Sequence, residues 1–132
     1  MNTKTTVQIN ETRQPALTRA VVRQIGGRES LADVARHGAV GGYCGFTYYA
    51  DTVAFAVRNR ADIMERLKAD AEDFGCVGVI SMLAGFNCLK GMSQEEIAEG
   101  LYNPRSENRT AVYNALAWYA AEEIARELNP DC

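Results

Sequence analysis

Apolar residues recur at helical spacing in segment after segment of this chain, and glycine or proline closes most of those segments. Pro15 fits the first turn of a helix. Leu17, Ala20, Val21 and Ile25 follow on one face, and Gly26-Gly27 stops the pattern. Glu29 to His37 repeats the arrangement with Leu31, Val34 and Ala35, and Gly38 ends it. Ala50 to Val57 reads as a further helix that Asp51 or Thr52 caps. Asn59 or Arg60 to Phe74 reads as a longer one, with Ile63, Leu67, Ala71 and Phe74 as its buried stripe. Asp62, Glu65, Arg66, Lys68, Glu72 and Asp73 lie mostly outside that stripe, and Asp62 and Arg66 form an i,i+4 pair.

Val77 to Phe86 is apolar on most sides and reads as the central buried helix, with a strand as the competing assignment because Val77, Val79 and Ile80 are β-branched. Ser93-Gln94-Glu95-Glu96 is a capping box opening a short helix through Leu101. After a polar loop, Thr110 to Leu128 is the last helix, its alanines permitting close packing. Leu116, Ala117, Ala120, Ile124 and Leu128 face inward, and Glu122, Glu123, Arg126 and Glu127 face water. Lys4 to Asn10 alternates as a short edge strand or mobile arm would. The expectation is an all-α compact single-domain bundle of about five to seven helices over residues 1–132, with residues 1–14 as an arm or edge strand.

At 132 residues, 47% hydrophobic and 23% charged, the chain has the composition of one soluble globular domain. The uncharged run from Cys76 to Leu89 is too short and too glycine-interrupted to span a bilayer, and residues 1–12 lack the apolar core of an export signal. Together these point to the cytoplasm. Cys44, Cys76, Cys88 and Cys132 include no close pair, so they read as reduced thiols. The first three sit among apolar neighbours as small hydrophobes. With His37 the only histidine, no metal site and no cofactor are expected.

Three glycines and four aromatics fall within Gly41 to Tyr49, the most unusual composition in the chain. The stretch Gly41-Gly42-Tyr43-Cys44-Gly45-Phe46-Thr47-Tyr48-Tyr49-Ala50-Asp51-Thr52 lacks the lysine and threonine of a P-loop and has no strand before it, so it is no nucleotide cradle. Gly41 to Asp51 also carries no Lys or Arg to hold a phosphate backbone under stacked bases. Its expected role is structural, with Tyr43, Phe46 and at least one of Tyr48 and Tyr49 mostly buried. A small enzyme or ligand-binding protein built around this loop, using Asp51, Tyr48 and His37, is the alternative.

The charge is divided unevenly. Residues 1–60 hold 8 Lys/Arg against 4 Asp/Glu, and residues 61–132 hold 6 against 13. An acidic face of this kind steers a basic partner toward it. Asp70, Glu72, Asp73, Glu95, Glu96 and Glu99 are the partner-binding candidates on charge density. A DNA-binding regulator using the basic N-terminal half is a third reading. It is opposed by Glu29 and Asp33, which repel phosphate in what would be the recognition helix of a helix-turn-helix.

The motif His37-Gly38, Gly41-Gly42-Tyr43-x-Gly45-Phe46-x-Tyr48-Tyr49-x-Asp51-Thr52, then Phe55, resembles a family of small phage and mobile-element proteins of undefined activity. The likeness continues through Ala84-Gly85-Phe86-x-Cys88-Leu89 and the run Asn114 to Ala125, and covers roughly residues 15–128. Small proteins of this size and setting include anti-CRISPR and anti-restriction inhibitors. The resemblance therefore implies a non-enzymatic inhibitor that binds a host defence complex, such as a CRISPR effector, and blocks its nucleic-acid-binding surface. It transfers no catalytic residue. The net charge of −3 departs from the strong acidity that full-length DNA mimicry needs.

Overall fold

The computed structural model describes residues 14–38, 46, 49–75 and 78–131, with the Tyr49 side chain excluded. Among them are six α-helices: α1 (Pro15–Ile25), α2 (Arg28–His37), α3 (Tyr49–Asp73), α4 (Val79–Leu83), α5 (Gln94–Tyr102) and α6 (Arg109–Leu128), with a 3₁₀ turn at Asn87–Leu89. No described residue is in a strand, and the fold is all-α. The alternating segment Lys4 to Asn10 lies outside the described residues. No helix among those described is long and apolar enough to cross a membrane.

Packing divides the chain into two units, Met1–Asp51 with Trp118–Cys132, and Thr52–Ala117. In the first, α1 and α2 pack against each other across the short Gly26-Gly27 link. Leu17, Val21 and Ile25 of α1 and Leu31, Val34 and Ala35 of α2 are buried, as a 3.6-residue stripe requires. Gly26 takes φ 96° and returns its N–H to the Val22 carbonyl, the left-handed stop that only glycine adopts without strain.

In the second unit, α3 is two helical segments joined at a kink. Asn59 has φ −114° and ψ 15°, and its side-chain amide donates to the Phe55 carbonyl at 2.9 Å, a local bond that competes with regular helix. The break falls where the sequence places it. The N-terminus differs: Tyr49 is the first helical residue, so Asp51 lies in the first turn and Thr52 is buried inside the helix, and neither is the cap. Ile63, Leu67 and Ala71 are buried as expected. Phe74 is not, at 73% exposure. It follows the last helical residue, and Gly75 at φ 69° turns the chain away, so the stripe's phase no longer applies to it.

Two assignments exchange places. The expected central helix over residues 77–86 is not seen in its described part, residues 78–86: only Val79–Leu83 is α-helical, α4 packs on α5, and just Val79 and Leu83 of that helix are buried. Glycines at 75, 78, 85 and 91 leave room for little more than a turn. The most enclosed of the described helices is α6, in which all ten residues from Val112 to Ala121 are buried. Four alanines in that run are fully buried, and Tyr113, Trp118 and Tyr119 are buried with them. Cys88 is exposed rather than packed as a hydrophobe, its thiol 4.0 Å from the Ala111 carbonyl oxygen.

The capping box of α5 forms in full. The Glu96 N–H donates to Ser93 Oγ at 3.1 Å, and the Ser93 N–H donates to Glu96 Oε1 at 2.9 Å. Between α5 and α6, the Asn103 and Ser106 side chains accept from the Arg105 and Asn108 N–H groups, each at 3.0 Å, and close the loop on itself.

Candidate binding surface

The glycine-aromatic stretch is described at few positions. Gly41, Gly42, Tyr43, Gly45 and Tyr48 lie outside the described residues, and Tyr49 is placed only as the first residue of α3. Phe46 is buried, and its ring meets Trp118 edge-on, centroids 5.1 Å apart and planes at 70°. That is a core contact. Asp51 is half-buried in the first turn of α3, where a carboxylate complements the positive end of the helix dipole. His37 is exposed at the end of α2, and Cys44, its conceivable catalytic partner, is outside the described residues. Among the described residues no three of His, Cys, Asp and Glu converge as a metal site.

The acidic candidates separate by burial. Asp70 is only 6% exposed and pairs with Arg66, Nε to Oδ2 3.9 Å, a buried i,i+4 pair. Arg66 follows Ile63 by three residues and Asp70 follows Leu67 by three, so both border the buried stripe rather than the solvent face. Asp70 therefore does not belong to an outward surface. Glu72, Asp73, Glu95, Glu96 and Glu99 are all exposed. Glu96 is committed to the capping box. Glu72, Asp73, Glu95 and Glu99 make no ion pair with any described residue.

Near the acidic end of α3 the second unit has an open groove of about 930 Å³. Ala61, Met64, Ala69 and Val79 give it apolar lining, and Arg60, Glu65, Lys68 and Glu72 supply charges of alternating sign. At one end the Arg60 guanidinium donates to the Leu101 carbonyl at 3.0 Å and sits 5.9 Å from the Tyr102 ring centroid. Tyr102 itself is 60% exposed. Local charge density along the sequence does not reveal this groove; the order of the signs along α3 does.

In the first unit, Glu122 was expected in water and is half-buried, bonded to Arg126 at 3.3 Å. Burial pushes its carboxyl above the usual value of 4.5, against the opposing pull of Arg126. A side chain at Gly38 would bring its Cβ within 2.5 Å of Glu122 Oε1, so Gly38 serves both the left-handed φ of 64° and the space the carboxylate occupies.

No curated protein matches this chain, and no solved structure matches it. A family described as a domain of unknown function, DUF7222, matches over residues 22–131, and the chain belongs to that family.

Proposed function

We propose that this protein is a non-enzymatic, phage-encoded inhibitor of bacterial immunity of the anti-CRISPR type. It acts in the cytoplasm of the infected host by binding a defence complex and covering its nucleic-acid-binding surface. The observation that carries the reading is a set of exposed carboxylates on the second unit that make no ion pair with any described residue: Asp73 at the end of α3, and Glu95 and Glu99 on α5. Carboxylates without an internal cation keep their full field for an Arg- or Lys-lined channel, and such a field speeds encounter. The motif likeness to small phage proteins supplies the setting, and the buried Phe46 leaves the loop's most central ring to the core rather than to a substrate.

The test is a plaque assay on a CRISPR-immune host expressing the protein. Restored plaquing on at least one subtype, with the protein co-purifying with that subtype's effector, is the expected result. Unchanged immunity across the subtypes native to the host contradicts the reading.

A further inference from the structure

We propose that the α3 groove is a self-association surface, occupied by α3 of a second copy of this chain in antiparallel orientation. The argument rests on the order of the charges. Along the groove they run Arg60, Glu65, Lys68, Glu72, alternating in sign over about 18 Å of helix. Reversed about a two-fold axis near Arg66, the same series is its own complement. Arg60 then faces Glu72 of the second copy, and Glu65 faces Lys68, each contact occurring twice.

The solvent-reaching apolar positions beside those charges, Ala61 and Ala69, are both small, whereas Met64 and Ala71 are buried in their own unit. Alanine on both sides lets two helices approach closely. An isologous two-fold interface requires this kind of self-complementarity, and the arrangement closes on itself rather than growing into a filament.

The exposed apolar side chains fit the same register. Val57, Phe74 and Tyr102 are the large hydrophobics left in water among the described residues. Tyr102 stands against Arg60 at one end of the groove, Val57 precedes Arg60 by three residues, and Phe74 follows Glu72 at the other end. Antiparallel pairing brings Phe74 of each copy to the Val57–Tyr102 end of the other, covering all three. Glu65, Lys68 and Glu72 make no ion pair within their own chain among the described residues. Their charges are therefore available across the axis.

This inference goes beyond the proposed function and is tested without it, by sedimentation equilibrium of the purified chain at low salt. The wild type is expected to be a dimer at high micromolar concentration. Lys68→Glu places two carboxylates opposite each other twice over and is expected to weaken the dimer by roughly tenfold or more. Adding Glu65→Lys restores opposite charges across the axis and is expected to restore the dimer. Far-UV circular dichroism on each variant keeps a folding defect from passing as lost association. A monomeric wild type overturns the proposal, as does a double variant that folds yet associates no better than Lys68→Glu alone.

Discussion

Phe46 and Trp118 meet edge-to-face at 5.1 Å, and this contact ties a loop residue to the most buried helix of the chain. An aromatic pair in this geometry adds about 0.5–1.5 kcal/mol to the area it buries. Phe46→Ala removes both and is expected to cost about 3–5 kcal/mol, read as a lower midpoint in urea unfolding at unchanged slope. A midpoint within error of the wild type contradicts the core placement of the ring.

Gly100 sits inside α5, where helix propensity alone favours alanine by about 1 kcal/mol. A Cβ there, however, would lie 2.7 Å from the Asn108 carbonyl oxygen and 2.6 Å from Val112 Cγ2. Backbone cannot yield as a flexible side chain does. Gly100→Ala is therefore expected to destabilise by about 1–3 kcal/mol, the range for overpacking. Thermal unfolding checks the sign, and a stabilised variant contradicts the close approach of the loop to α5.

Glu122 carries a pH signature. Its folded carboxyl holds its proton to higher pH than the unfolded chain does. Its ionisation therefore costs stability above the folded pKa, and that cost fades as pH falls toward the ordinary glutamate value of 4.5. Glu122→Gln is expected to raise stability relative to wild type near pH 7, with the advantage shrinking on acidification. Denaturant midpoints across the acid range measure this. An advantage that grows as pH falls reverses the expected sign.

The helical class and its punctuation were legible because they rest on local rules. Gly26 and Ser93 act through their own backbone and nearest turns, and both behave as their sequence context requires. The break at Asn59 was visible for the same reason. Burial was less legible because it depends on what packs against a helix. The alanines of α6 are small side chains of modest hydropathy, yet they are fully buried in a helix whose sequence shows only an ordinary amphipathic stripe. The run 77–86 is richer in Val, Ile, Met and Leu but is cut by Gly78 and Gly85 and forms only a short helix. At the surface, charge density picked out Asp70, whose position beside Leu67 and Arg66 takes it inside, and it passed over the sign order that makes α3 self-complementary.

The proposed function rests on the exposed carboxylates, and its most direct measurement compares two sets of charge reversals in the plaque assay. One set is Asp73→Lys, Glu95→Lys and Glu99→Lys on the second unit. The other is Arg19→Glu and Arg23→Glu on the exposed face of α1. The first set is expected to abolish protection of the phage and to slow association with the effector, more at low salt than at high. The second set is expected to leave both near wild type. Protection that survives the acidic reversals and is lost with the arginine changes contradicts the account and makes the basic half the working face.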